Sequence, residues 1–365
     1  KEKIAVACNV PIENVISAPD IESIYDVPLN FERDKFGDMV EKELKLKQKS
    51  IDLSGWRNFV HKTRKSKAEG KEVHIAIVGK YFDTGDFVLS DAYVSVIEAL
   101  KFSSFALGVK PVLHWMNAKQ FETDSETGKA LTDSQVSARL KNTFGGKYKT
   151  EEGKRVQISG ILVPGGFGET GIEGKVAVIR YARENKIPYF GICYGMQLMV
   201  IEYARHIAGL VGAHTSEVNP ESEHMVVDIM AHQKALLEEG KYGASMRLGG
   251  YACALKPGSI AETAYTKAGW TNRLSQISQA YETVKKAVGT GSKAKNQSVI
   301  IERHRHRYEV NPEYVAKIQE AGMVFSGTSP DGTLMEIAEL PRGKDGKGKG
   351  KNQHPFFLGV QFHPE

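Results

Sequence analysis

Cys193 stands between two glycines, in Gly191-Ile192-Cys193-Tyr194-Gly195, where an apolar run gives way to a helical pattern. A nucleophile held this way occupies a sharp strand-to-helix turn, the thiol counterpart of the G-x-S-x-G elbow. Such a turn strains the central residue and needs small neighbours on both sides. The helix N-terminus then lies under the sulfur, and its positive dipole end favours thiolate over thiol. Taken alone, the pentapeptide fits a buried structural cysteine equally well. A general base changes that balance. It stands in Phe362-His363-Pro364-Glu365, directly after another apolar run. Strand periodicity of two places His363 and Glu365 on one side, so the carboxylate can fix the imidazole tautomer and stabilise imidazolium.

Acyl transfer also needs N–H donors for an oxyanion. Pro164-Gly165-Gly166-Phe167-Gly168 follows an apolar run, and the backbone amides of Gly166 and Tyr194 are assigned to that role. An ordinary strand-to-helix turn is the competing reading of the glycine loop by itself. Gln197, four residues beyond Cys193, falls one helical turn on, on the same face.

These groups must be carried by a scaffold. Val73–Gly79, Lys110–Trp115, Gly160–Pro164 and Ile187–Ile192 read as short buried strands. Asp91–Phe105, Glu173–Glu184 and Tyr194–Ile207 carry helical spacing between them. The alternation predicts an α/β fold with a parallel sheet, its functional loops at the strand C-termini. The C-terminal third adds strand-like Ser298–Arg303, Leu334–Glu339 and Phe356–Phe362, with a helix over Pro312–Glu320. Gly343–Lys351 reads as a surface loop, phosphate binding being the sharper alternative, and 287–296 as a second loop. Before Val73, residues 51–71 read as a solvated, lysine-rich linker helix around Trp56, Phe59 and Val60.

The 365 residues are 41% hydrophobic and 25% charged, ordinary for a globular chain with a core. No apolar run approaches the ~18–20 residues of a membrane span. A net charge of +5 is too small and dispersed for a nucleic-acid footprint. Cys8, Cys193 and Cys253 form neither a disulfide framework nor a zinc pattern, which points to a reducing, cytoplasmic setting. The start at Lys1-Glu2-Lys3-Ile4, without Met or leader, reads as a cut within a longer chain.

Elbow, glycine loop and terminal His-Pro-Glu together resemble the class I (triad) glutamine amidotransferases. That resemblance implies a flavodoxin-like parallel sheet flanked by helices. Gly79-Lys80-Tyr81, Gly171-Ile172-Glu173-Gly174-Lys175, Met246-Arg247-Leu248-Gly249, Glu302–Asn311 and Gly327–Gly332 are similar to the CTP synthase family in particular. The run Arg303-His304-Arg305-His306-Arg307-Tyr308 is the most specific. Cys8–Pro11 through Ser23–Leu29 resemble the end of that family's amidoligase domain. The resemblance therefore implies an amidoligase remnant over 1–50, a linker over 51–71 and an amidotransferase domain over 72–365.

It further implies a ligase of pyrimidine biosynthesis, in which ammonia from glutamine aminates UTP to CTP at the expense of ATP. Mg-ATP and UTP belong to a domain outside this sequence, GTP is an allosteric activator, and the family forms homotetramers. No cofactor or metal is expected within these residues, and neither nucleic acid nor membrane as a partner. Glutamine would be bound by Gly165, Gly166, Phe167, Gln197, Glu217, Arg307 and Tyr308, with Glu217 on its ammonium and Arg307 on its carboxylate. On residues alone, His304 and His306 share a strand face where a metal is conceivable, but the flanking arginines repel a cation. RNA binding by the same run lacks interleaved aromatics.

Two positions depart from the family. Tyr194 replaces the usual Leu after the nucleophile, placing a phenol beside the pocket. Thr170 replaces an arginine tied to GTP activation, so an altered GTP response is expected. Another triad amidotransferase, or a catalytically weak regulatory module of the same fold, are the rival readings.

Overall fold

The computed structural model describes residues 1–47, 50–80, 93–146, 148–150, 152–230, 233, 246–273, 298–343, 348, 350 and 352–365. The loop expected at 287–296 and most of Gly343–Lys351 lie outside the described residues, as do Tyr81, Asp91 and Ala92. The chain divides into two compact units, residues 1–72 with 100–111, and residues 73–99 with 112–365.

In the first unit, α1 (Glu2–Cys8), α2 (Val27–Arg33), α3 (Phe36–Glu43) and α4 (Ser54–Glu69) are short to medium helices. Tyr25, Val60 and Phe105 form a small core, with Leu29, Trp56 and Phe59 packed against it. The Trp56 indole N–H donates to Tyr25 O at 2.9 Å. The segment expected as a solvated linker therefore buries one face, Val60, Thr63 and Ser66, while its lysines stay outside. Its apolar stripe at helical spacing outweighs the charge run around it.

The second unit is built on one ten-stranded sheet. Its strands, with five that form two smaller sheets, are β1 (Glu72–Gly79), β2 (Lys110–Asn117), β3 (Tyr148–Lys149), β4 (Arg155–Val156) and β5 (Ile158–Val163). They continue with β6 (Tyr189–Ile192), β7 (His214–Thr215), β8 (Met225–Ile229), β9 (Arg247–Leu255) and β10 (Asn272–Arg273). The last are β11 (Ser298–His306), β12 (Tyr308–Val310), β13 (Val324–Thr328), β14 (Met335–Glu339) and β15 (Phe357–Val360). The order across the large sheet is β10-β11-β9-β13-β14-β15-β6-β5-β1-β2.

β15, β6, β5 and β1 pair in parallel, whereas β10, β11, β9, β13, β14 and β15 pair antiparallel. The sheet is therefore mixed: the parallel α/β core expected from the sequence is present, and an antiparallel half extends it. The reason lies in the connections. β13 and β14 are joined by a tight turn in which Gly332 N–H donates to Ser329 O at 2.7 Å, too short for the crossover that parallel strands require.

Further helices are α5 (Val94–Ala106), α6 (Asp133–Phe144), α7 (Ile172–Glu184) and α8 (Tyr194–His206). α8 is buried on all sides from Tyr194 to Ala204. Its one acidic member, Glu202, is fully enclosed and receives both Arg183 Nε at 2.9 Å and Nη2 at 2.8 Å. Such bidentate pairing is what permits a carboxylate in that position. Among the described residues, no helix is long and apolar enough to cross a membrane.

Candidate active site

β6 ends at Ile192 and α8 begins at Tyr194, which leaves Cys193 at φ 51°, ψ −100°. A non-glycine residue held at positive φ costs on the order of 1–3 kcal/mol, so the surroundings must impose it. They do so through the Cys193 N–H, which donates to Val360 O of β15 at 2.7 Å. Close seating of α8 on β5 adds to this, since a Cβ at Gly195 would collide with the Val163 carbonyl oxygen. The elbow is thus a product of sheet and helix together.

The base arrives differently from the expectation. β15 stops at Val360, so His363 and Glu365 do not alternate along a strand. Instead, His363 N–H donates to Arg303 O of β11 at 2.8 Å, and the ring turns its Nδ1 to Glu365 Oε1 at 3.0 Å. A carboxylate only accepts, so Nδ1 carries the hydrogen of this bond. Burial opposes ionisation of Glu365, yet the hydrogen bond and charge of His363 hold its carboxyl below the usual range. At Gly165, a Cβ would lie 2.9 Å from His363 Cε1 and 3.7 Å from Cys193 Cβ. Cys193 and His363 therefore border the same small space, left open because residue 165 is glycine.

Burial pushes the Cys193 thiol up to about 12, with Glu309 and Glu365 adding to the rise. The Tyr194 N–H and the Gln361 side chain act the other way. Burial is the largest influence on the sulfur and acts against the thiolate expected from the sequence. The resting group is a thiol.

A cleft of ≈ 560 Å³ is lined by Cys193, His363, Gly165, Gly166 and Phe167. Gln197, Glu217, Arg307 and Tyr308 border the same cleft, so all the residues expected to bind substrate share it with Cys193 and His363. Met246, Arg305 and His306 line it too, and sequence reasoning had given them no place there. Glu217 Oε1 accepts the Gly168 N–H at 2.9 Å, which fixes the glycine loop against a charge. The Tyr194 phenol does not enter the cleft. It donates to Gly168 O at 2.9 Å and so braces the same loop from beneath.

Two lysines reach the loop that carries Thr170. Lys80 Nζ donates to Phe167 O and lies 4.6 Å from the Phe167 ring centre. Lys175, almost wholly enclosed, donates to Thr170 O at 3.3 Å. Burial, with Lys80 nearby, lowers it to about 8.

The basic run is also resolved into two faces. Arg303 and Arg305 are exposed, whereas His304 and His306 are buried and hydrogen-bond each other, Nδ1 to Nε2, at 2.8 Å. Beside them Arg247 bridges Glu309 at 3.2 Å and Glu336 at 2.8 Å. Burial, followed by Arg247, drives His304 down to about 2 and His306 to about 3, so both imidazoles are neutral. Among the described residues no group of three or more His, Cys, Asp or Glu side chains is arranged to hold a metal.

A strained thiol at a strand-to-helix turn, a His-Glu pair and a glycine loop on one cleft invite comparison with known proteins. A family profile described as glutamine amidotransferase class-I matches residues 88–365, and one described as CTP synthase N-terminus matches residues 1–46. The chain belongs to the class I glutamine amidotransferase family. Within it, this amidotransferase is 39% identical over 365 residues to the CTP synthase of Clostridium acetobutylicum. It is 40% identical over the same length to that of Caldanaerobacter subterraneus. In both cases 100% of this chain and 54% of the relative are covered, so it spans about half the length of the curated relatives it matches. Among solved structures, the Trypanosoma brucei CTPS glutaminase domain with bound acivicin is similar, with TM-score 0.57 and 30% identity. That match covers 80% of this chain and 86% of the other. The amidotransferase is thus homologous to the glutaminase domain of CTP synthases.

Proposed function

We propose that this chain hydrolyses L-glutamine to glutamate and ammonia, as the glutaminase part of a CTP synthase. The observation that carries the reading is the strained Cys193 sharing a cleft with a His363 whose Nδ1 is committed to Glu365. Glu217 faces the substrate ammonium, Arg307 its carboxylate, and Gly165, Phe167, Gln197 and Tyr308 enclose its stem. The Cys193 thiol gives its proton to His363 Nε2 as sulfur attacks the side-chain amide carbon. The oxyanion takes N–H donation from Gly166 and Tyr194. Collapse breaks the C–N bond, and the imidazolium returns the proton to the leaving nitrogen, releasing ammonia. Water, deprotonated by His363, then cleaves the γ-glutamyl thioester and restores the thiol. Glu365 orients His363 and stabilises its charged form throughout.

The rest of the reading extends beyond these residues. Residues 1–50 are the end of an amidoligase domain, 51–71 a linker and 72–365 the amidotransferase. Ammonia would be used for ATP-dependent amination of UTP in the part of the relatives that this chain does not span, with Mg-ATP bound there, in a cytoplasmic homotetramer. GTP activation is proposed to be weak. Thr170 offers no guanidinium for bidentate phosphate contact, and Lys175 is already bound to the Thr170 carbonyl. A normal GTP activation curve in the intact enzyme would overturn that part.

The central test is glutaminase activity with Cys193→Ala as control. Loss of roughly 10⁴-fold or more is expected for removal of such a nucleophile. Covalent labelling of Cys193 by a glutamine-like electrophile should fail in a silent module of the same fold and succeed here.

A further inference from the structure

Gln361 lies between the last strand and the His-Pro-Glu turn, and none of its side chain reaches solvent. A glutamine with no exposure needs partners for both ends of its amide. Its backbone N–H donates to Glu336 O of β14 at 2.8 Å, which locks the residue in place. Its side chain has two neighbours: Gln197 Nε2 at 3.2 Å from Oε1, and Cys193 Sγ at 3.7 Å from Nε2.

The chain of partners settles which way the amide points. Gln197 also reaches the Tyr308 carbonyl oxygen, at 2.9 Å, and a carbonyl can only accept. The Gln197 atom there is therefore its NH₂ group. That same NH₂ faces Gln361, so the Gln361 atom opposite must be oxygen, and its NH₂ is left facing the sulfur. The order is thus imposed from the Tyr308 backbone, through two buried amides, to the nucleophile. At 3.7 Å the contact is long for oxygen but within reach of the larger sulfur atom.

We infer that Gln361 is a further catalytic residue of this site, its side-chain N–H binding the Cys193 sulfur and stabilising the thiolate as it forms and as it leaves. The inference rests on Cys193 being the nucleophile. Gln197 is the positioning residue that orients Gln361, in addition to any contact with substrate. The charges facing the sulfur explain why a donor matters. Glu309 from β12 and Glu365 from the C-terminal turn both disfavour a second negative charge. Arg247, the cation next to Glu309, is shared with Glu336. Glu217, Arg307 and His363 border the cleft itself. Against these, the donors acting on the sulfur are the Tyr194 N–H and Gln361.

The test compares the parent with Gln361→Met, which keeps the volume and loses the donor, and Gln361→Glu, which keeps the shape and presents an acceptor. Two readouts are taken: glutaminase kcat and KM, and the pH profile of Cys193 alkylation by iodoacetamide. Met is expected to lower kcat about ten- to hundredfold, the size of one hydrogen bond to a charged group, with KM changed less than threefold. The alkylation midpoint should move up by about one pH unit, and further for Glu. Circular dichroism identifies whichever variant is folded, and that variant decides. A folded variant with the parental alkylation profile and kcat overturns the role of Gln361 while leaving the nucleophile intact. If Cys193→Ala leaves glutamine hydrolysis unchanged, the reading beneath it falls instead.

Discussion

The two halves of the ten-stranded sheet serve the site by different means. The parallel half, β15, β6, β5 and β1, works through backbone: a residue at φ 51°, a glycine loop and the N-terminus of α8. The antiparallel half works through enclosed charge. Arg247 opens β9, His304 and His306 close β11, and Glu336 lies in β14, all buried. β15 is the seam, parallel to β6 and antiparallel to β14. Cys193 hydrogen-bonds to the end of that seam and His363 follows it, so Cys193 belongs to one half and His363 is anchored on the other. Backbone geometry is inexpensive to keep once a strand and helix are packed. Buried charge is not, because each member depends on the others.

That difference is sharpest at Arg247. One guanidinium serves two buried carboxylates, Glu309 and Glu336, and burial raises both above the usual range. Arg247 reaches only their Oε1 atoms, and among the described residues Glu309 Oε2 and Glu336 Oε2 have no hydrogen-bond partner. Arg247→Met would leave two enclosed acids without their cation, a loss of about 3–5 kcal/mol. The sign with pH follows from the raised acids. The folded state binds more protons than the unfolded one above the ordinary glutamate range, so stability falls as pH rises. The variant should therefore lose more melting temperature at pH 8 than at pH 6. Equal losses at both would mean the carboxylates are not what Arg247 holds.

The parallel half was the legible one. Its strands are short apolar runs, β5 and β6 running directly into the glycine loop and the cysteine turn, and helices fill the gaps between them, so Cys193, Gly165, Gly166 and Gln197 fell into place from local pattern. The cleft residues Glu217, Arg307 and Tyr308 came from resemblance and not from periodicity. The antiparallel half left weaker traces. Arg247 meets partners 62 and 89 residues away, and Gln361 is 168 residues from the sulfur it contacts. No spacing rule joins such pairs. Two signals were nonetheless present. Asp331-Gly332 between strand-like runs marks a hairpin, which argues against a purely parallel sheet. Gln361, a polar residue inside Gly359-Val360-Gln361-Phe362, needed an explanation that an apolar strand does not supply.

A second, smaller effect separates the halves on the acid side. His304 and His306 are enclosed by Arg247, Glu309, Glu336 and Tyr251, with His363 beyond. Both stay neutral when folded, but in the unfolded chain they gain a proton below about pH 6.5. The unfolded state then binds more protons, and stability declines as pH falls from that point toward the folded values. Between pH 7 and pH 5 each histidine accounts for about 2 kcal/mol of that loss. Replacing His304 by Gln removes one titration while leaving a group that can still hydrogen-bond His306. The drop in melting temperature from pH 7 to pH 5 should shrink. An undiminished drop would place the acid sensitivity elsewhere.

The mildest test belongs to the parallel half and its surface. α6 begins with a capping box: Thr132 Oγ1 accepts Gln135 N–H at 3.4 Å, and Gln135 Oε1 accepts Thr132 N–H at 2.9 Å. Thr132-x-x-Gln135 was readable as a helix start, although no helix was expected there. The cap is exposed, so water replaces what Thr132→Ala removes, and only the advantage of the ordered bond is lost. That is about 1 kcal/mol. α6 still docks through Leu140 and Phe144, which are buried with Phe121 in the main core, and it gives no residue to the cleft. Glutaminase kinetics should be unchanged while the denaturant midpoint moves slightly down. A loss as large as that of Arg247→Met would erase the contrast, because a surface polar contact in the parallel half would then weigh as much as an enclosed charge in the other.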